Sequence, residues 1–192
     1  MNIKDIVEVF VIGVLLSYSG LMKPYSALAS NDGAEIFLQD SHEYMVCGSE
    51  NDLEGYNSID LIESAINISA ERYGVDENLI KSLIKQESNF DPNCISNAGA
   101  VGLMQIMPNT IKKFNVENPY DVYENIDAGT RHLKGMIERY EGDIVKAVAA
   151  YNCGGNALDR SGFESLNDVS MLPKETQIHI TKVFYYYNQF LV

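Results

Sequence analysis

From residue 58 onward, apolar side chains recur at intervals of three and four, the spacing of one face of an α-helix. Ile59, Ile62, Ile66, Ala70 and Tyr73 make the first such face, with Ser58 placed to cap its start and Gly74 to stop it. Asp76 is placed to cap a second helix, in which Ile80, Leu83, Ile84 and Glu87 share one side and Lys81 and Lys85 the other. Asp91-Pro92 forbids its continuation, because a proline pushes the residue before it out of the helical region. A glycine-punctuated loop, Ser96 to Gly102, runs through Leu103-Met104-Gln105-Ile106-Met107-Pro108 into a short helix expected from Asn109 to Phe114. Ile126, Thr130, Leu133, Ile137 and Tyr140 predict another helix ending near Gly142. Ile144, Ala147, Val148 and Tyr151 predict a small-residue helix that stops at Gly154-Gly155. After a polar segment rich in Ser, Asn and Asp, Pro173 suits the first turn of a last helix with Ile180, Val183, Phe184 and Tyr187 on one side. No stretch alternates with a period of two, so the expected class is all-α, helix packed on helix.

The N-terminal part reads differently. Val9 to Met22 is a short apolar run, followed by a polar break and the small-x-small pattern Ala27-Leu28-Ala29 before Ser30. The run is short for a bilayer span, so residues 1–29 are expected to be a signal peptide, with a retained N-terminal anchor as the alternative. Against cleavage, Lys4 is offset by Asp5 and Glu8, which removes the usual positive excess. Residues 30–57 carry seven acidic residues and no Lys or Arg, and read as a flexible acidic leader to a domain over 58–192. Export to a periplasm, cell wall or extracellular space follows from this reading. The net charge of −13 argues against nucleic acid, whose phosphates it would repel.

Glu87 is the first candidate for chemistry. An acid that shares a helix face with Ile and Leu loses hydration, which disfavours its charged form and should raise its pKa. A carboxyl still protonated near neutral pH can protonate a poor leaving group such as a glycosidic oxygen. A lone Glu in a last helical turn is otherwise an ordinary surface residue, but three further motifs lie downstream. They are Gly102-Leu103-Met104-Gln105, Ala150-Tyr151-Asn152-Cys153-Gly154 and Pro173-Lys174-Glu175-Thr176.

With Glu87-Ser88, the order and spacing of these motifs resemble the soluble-type (family 1) lytic transglycosylases, glycoside hydrolase family 23, over about residues 58–190. The resemblance implies a single lysozyme-like helical domain with a substrate cleft. The implied substrate is peptidoglycan, cut at the β-1,4 bond between N-acetylmuramic acid and N-acetylglucosamine. It implies Glu87 as the one catalytic acid, then base, with the substrate's own acetamido carbonyl stabilising the cationic centre. Products would be 1,6-anhydro sugars, formed with no cofactor and no metal. A cell-envelope or secretion assembly is a conceivable partner by analogy, and no oligomeric state is implied.

Each further carry-over has a plainer counterpart. Gln105 has a donor and an acceptor for sugar groups, or for backbone. Ser96 matches a ligand-contacting serine, or bonds its own loop. Met104 and Met107 line a cleft, or fill a core. Tyr151 directs its hydroxyl at Glu87 or at an acetamido group, or finds a backbone partner. Gly102 and Asn152 complete the expected binding set, and Glu175 matches a cleft glutamate or complements a helix N-terminus.

Two departures from the family stand out. His179 occupies the place of a usual Tyr, which puts a hydrogen bond or packing contact in doubt, although Glu175 and His179 could pair at i,i+4. Cys94 and Cys153 stand where the family tends to have small residues. A Cys94–Cys153 disulfide and a pair of buried free thiols are both open, Cys47 being the third cysteine. Three other classes compete: a hydrolytic muramidase of the goose-lysozyme kind with a second acid such as Asp91, a thiol peptidase using Cys153 or Cys94 with His132 or His179, and a non-catalytic glycan-binding module. The thiol reading lacks a basic setting that would make a thiolate.

Overall fold

The computed structural model describes residues 56–191; the expected signal peptide and nearly all of the acidic leader lie outside them. The described elements are α1 (Tyr56–Tyr73), α2 (Glu77–Ser88), α3 (Pro108–Phe114), α4 (Val122–Arg139), α5 (Ile144–Cys153), α6 (Gly155–Ser161), a 3-10 turn (Leu166–Met171) and α7 (Lys174–Phe190). Two isolated bridges, Ile95 with Val101 and Val101 with Ile106, pin the loop between α2 and α3 and are the only β pairing among the described residues.

Helix starts follow side-chain chemistry. Asp76 accepts from the N–H groups of Asn78 (2.8 Å) and Leu79 (3.1 Å), as its position suggested. Asp121 does the same for Glu124 (2.9 Å) and Asp143 for Lys146 (3.0 Å). With Asp121 as its cap, α4 starts at Val122, four residues before the first residue of its periodic apolar face, Ile126. Tyr56 precedes Ser58, so Ser58 lies inside α1 and does not cap it. The polar segment before Pro173 is more than a separator, since it holds α6 and the 3-10 turn. Leu158, Phe163 and Leu172 bury themselves there at spacings too irregular to form a stripe.

Packing centres on α5. Ala147, Val148, Ala149 and Ala150 are all fully buried, as expected of a helix apolar on every side. Around it, α4 and α7 pack against α5, α2 lies along α7, and α1 lies along α4. The predicted faces are the core faces: Ile80, Leu83 and Ile84 of α2 and Ile180, Val183 and Phe184 of α7 have no exposed surface. Burying such a side chain stabilises by about 1.5–3 kcal/mol. Away from the core, Arg72 and Tyr73 of α1 both hold Asp127 of α4, the phenol at 2.9 Å. Among the described residues no helix is long and apolar enough to cross a membrane.

The cysteine expectation is corrected. Cys94 is disulfide-bonded, but Cys153 is a free thiol, so no Cys94–Cys153 bridge exists. Cys153 ends α5 half-buried, with its sulfur 3.7 Å from the Gly154 carbonyl.

Candidate active site

Glu87 occupies the last turn of α2. Its helix ends at once, because Asn89 and Phe90 both adopt left-handed backbone (φ 53° and 67°) and Asn89 returns its N–H to Lys85 O. The side chain keeps 14 % of its surface exposed, enough for a ligand to reach it and little enough to strip most of its hydration. Its one hydrogen-bond partner among the described residues comes from α7: His179 Nε2 lies 2.8 Å from Glu87 Oε1. His179 is 3 % exposed, and its other ring nitrogen, Nδ1, is buried without a hydrogen-bond partner among the described residues. The i,i+4 pairing with Glu175 is thus replaced by a contact across the helix interface. Glu175 itself is exposed in the first turn of α7.

The loop from Cys94 to Met107 forms the opposite side. Gly102 adopts φ +77°, and a Cβ there would lie 2.2 Å from the Asn125 amide nitrogen, so only glycine fits. It is buried and structural. Gln105 is also buried, in left-handed backbone (φ 46°), and its Nε2 donates to Cys94 O (3.0 Å) and Gly102 O (2.9 Å). Its Oε1 has no partner among the described residues. Of the two roles open to Gln105, its donors serve backbone and its acceptor stays unused.

Met104 is fully buried and packs on Gly129, where a Cβ would fall 2.5 Å from its sulfur; its side chain is core and not cleft. Met107 is 44 % exposed, the one methionine of the pair open to a ligand. Ser96 accepts the Ala100 N–H within its own loop (3.0 Å).

Tyr151 does not reach Glu87 with its hydroxyl. It donates to Met104 O at 2.8 Å and so fastens α5 to the loop. Desolvation, and secondarily the charge of Glu87, pushes the phenol well above its ordinary pKa, so it remains a neutral donor. The neighbouring Asn152 accepts from Thr176 Oγ1 (2.8 Å), which ties α5 to α7 three residues before His179.

Two residues organise the site in roles that the sequence did not assign to them, although Ser88 stands in the Glu87-Ser88 motif. Ser88, buried beside Glu87, donates to Leu103 O (2.8 Å) and joins α2 to the loop. Asn125 accepts Met104 N–H (2.8 Å) and donates to Val101 O (3.0 Å) and Pro119 O (2.7 Å), satisfying its amide at 1 % exposure. The only signal for Asn125 was a polar residue beside Ile126 at the edge of a helical stripe. For Ser88 it was adjacency to Glu87.

The competing nucleophile and acid are placed elsewhere. Burial raises the Cys153 thiol pKa, the wrong direction for a thiolate nucleophile. Asp91 accepts the Asn93 N–H at 2.8 Å and shapes the turn before the loop. A shallow depression of about 390 Å³ between α1, α3 and α4 contains none of the expected site residues.

Comparison with known proteins identifies the family and the fold. The model of the Transglycosylase SLT domain family matches residues 64–166, more than half of the chain. The "Transglycosylase" of Enterobacteria phage PRD1 is 38% identical over 91 residues, covering 47% of this chain and 34% of that protein. The "Membrane-bound lytic murein transglycosylase C" of Haemophilus influenzae is 33% identical over 137 residues, covering 62% of this chain and 38% of its own length. The chain thus spans little more than a third of these two curated relatives. Among solved structures, the lytic transglycosylase Slt of Pseudomonas aeruginosa, as an inactive mutant, superposes with a TM-score of 0.59 at 26% identity over 67% of this chain and 24% of that one. The 70 kDa soluble lytic transglycosylase of Escherichia coli gives 0.55 at 26% identity, over 65% and 24%. The all-α, lysozyme-like fold is shared, and the chain belongs to the Transglycosylase SLT domain family.

Proposed function

We propose that the protein is a peptidoglycan lytic transglycosylase in which Glu87 is the sole acid and base. The observation that carries this reading is that Glu87 is held by an imidazole and not by a second carboxylate. Retaining and inverting glycosidases use paired carboxylates, one to protonate and one to attack or to activate water. A single carboxyl suits a reaction in which the substrate supplies the rest.

Glu87 donates its proton to the glycosidic oxygen as the bond from C1 of N-acetylmuramic acid breaks. The 2-acetamido carbonyl of the same sugar stabilises the cationic carbon. Glu87, now a carboxylate, takes the proton of the C6 hydroxyl, whose oxygen bonds to C1 and closes the 1,6-anhydro ring. The acid is regenerated and no water is consumed. Of the expected binding residues, Met107, Ser96, Asn152 and Glu175 remain candidates for sugar contacts. Gln105, Tyr151, Gly102 and Met104 act by building the loop. Peptidoglycan lies outside the cytoplasmic membrane, so this function calls for export, in line with the apolar run Val9–Met22.

Mass spectrometry of muropeptides released by the purified protein tests the reaction. Products lighter than the hydrolytic ones by one water, about 18 Da, are expected. Full-mass reducing products alone would make the protein a hydrolytic muramidase.

A further inference from the structure

The contact between Glu87 and His179 joins residues 92 positions apart and is the most direct interaction that any side chain makes with the candidate catalytic carboxyl. We propose that His179 is a positioning residue that pins Oε1 of Glu87 in both of its protonation states, leaving Oε2 as the atom that delivers and recovers the proton. The proposal rests on the reading of Glu87 as acid and base.

Three observations lead to it. First, the ring is fixed. His179 is 3 % exposed, Ile180 and Val183 beside it are fully buried, and Thr176 one turn earlier is anchored to Asn152 at 2.8 Å. A side chain so enclosed cannot swing to follow a mobile partner.

Second, the polar atoms allow one arrangement. A neutral imidazole carries one N–H, and an ionised carboxylate only accepts, so the hydrogen belongs on Nε2, facing Oε1 at 2.8 Å. Nδ1 is then a bare lone pair, which agrees with its lack of a partner among the described residues. A hydrogen on Nδ1 would be a buried donor with nothing among the described residues to receive it. When Glu87 is protonated the Nε2–H stays in place, and because Oε1 already accepts from it, the acid hydrogen sits on Oε2. One bond therefore persists through the cycle. A relay through His179 would instead require Nδ1 to take up a hydrogen where no acceptor stands among the described residues.

Third, the bond removes a freedom that this reaction cannot tolerate. The terminal torsion of a Glu side chain is broad and two-fold, so an unheld carboxyl exchanges its oxygens. In the proposed reaction the same carboxyl must meet the glycosidic oxygen and then the C6 hydroxyl without a water to fill the gap. Such placement is worth large factors in rate.

The test compares two substitutions in the full chain acting on isolated peptidoglycan. His179→Phe keeps a flat ring and removes the donor; His179→Gln removes the ring and keeps an amide N–H. The expected result for His179→Phe is a kcat lowered about ten- to a hundredfold, with KM changed less than about twofold and the melting temperature retained. His179→Gln should restore kcat to within about threefold of the wild type. A His179→Phe enzyme with wild-type kcat, or a His179→Gln enzyme as impaired as His179→Phe, overturns the proposal. If His179→Phe does not fold, His179→Gln decides alone: a folded enzyme with kcat lowered more than about threefold is the contrary result. Glu87→Gln, run beside them, separates the two levels. Activity retained in Glu87→Gln removes the catalytic reading itself, whereas an inactive Glu87→Gln beside a fully active His179→Phe removes only the positioning role.

Discussion

On the α7 side of the site, His179 directs a ring nitrogen at the Glu87 carboxyl, whereas on the loop side Gln105 and Tyr151 direct their polar ends at backbone carbonyls. Both sides are buried and polar, yet they solve different problems. The loop from 94 to 107 has no regular hydrogen-bond ladder beyond two bridges, so side-chain donors complete its backbone bonding, as at Leu103 O and Met104 O. Helix α7 satisfies its own backbone, which leaves His179 free to act on Glu87. The contrast teaches that a polar side chain is free to meet another side chain where the backbone around it is already provided for. Ser88 and Asn125 belong with the loop side, since both hold carbonyls or N–H groups of residues 101–104.

The contrast is broken most directly at Glu87. Glu87→Gln keeps the shape of the side chain and can still accept from His179, but can neither give nor take the proton. Turnover should fall by roughly 10²–10⁴-fold with no loss of melting temperature. A variant with more than about a tenth of wild-type activity would show that the chemistry lies elsewhere.

The loop side should respond in the opposite sense. Gln105→Ala removes two side-chain hydrogen bonds, to Cys94 O and Gly102 O, while each carbonyl keeps a backbone donor (Gly102 N–H at 2.8 Å and Gln105 N–H at 3.1 Å), so at about 0.5–1.5 kcal/mol per bond stability should fall by about 1–3 kcal/mol. Chemical denaturation of the variant measures it. If Gln105 were chiefly a sugar contact, stability would hold and KM alone would rise.

Much of this was legible in the sequence because it depends on local rules. The apolar stripes of α2, α5 and α7 and the cap at Asp76 are periodic or adjacent, and they appear where the spacing put them. The partial burial of Glu87 likewise follows from its place on the apolar face of α2. What stayed hidden is long-range. That the imidazole at 179 meets a carboxyl at 87 depends on how α2 crosses α7, which no spacing encodes. Likewise the destination of the Tyr151 hydroxyl depends on where the loop carbonyl of Met104 turns. The Cys94–Cys153 pairing erred for the same reason: proximity of two motifs in the site does not set the distance or direction of two Cβ atoms.

A smaller effect is expected at Tyr151. Tyr151→Phe leaves the ring in place and only the Met104 carbonyl without its donor, so stability should fall by about 1–2 kcal/mol. Activity should drop less than in Glu87→Gln, through a loosened loop. Equal losses of activity in the two variants would move Tyr151 from the building of the site into its chemistry.

The smallest effect concerns His132, which packs against Tyr151. His132 packs its ring 5.3 Å from that of Tyr151, and its Nδ1 is buried without a partner among the described residues. Burial, and then the charge of Lys113, hold its pKa below the ordinary histidine value. The ring is therefore neutral in the fold, while in the unfolded chain it takes up a proton at about pH 6.5. As pH falls through that value the unfolded state binds more protons than the folded one, so stability rises with pH across this window. The contribution is fully present above about pH 6.5 and is lost below it, until the folded ring itself is protonated. His132→Gln, which cannot titrate, should show a shallower fall in melting temperature between about pH 7 and pH 5, by about 2 °C or less. Because His132 leans on Tyr151 and not on Glu87, the same acid change should loosen the loop side first. Hydrogen exchange at residues 101–106 should rise at the lower pH in the wild type and much less in His132→Gln. An identical acid response in the two proteins would place the sensitivity outside this ring.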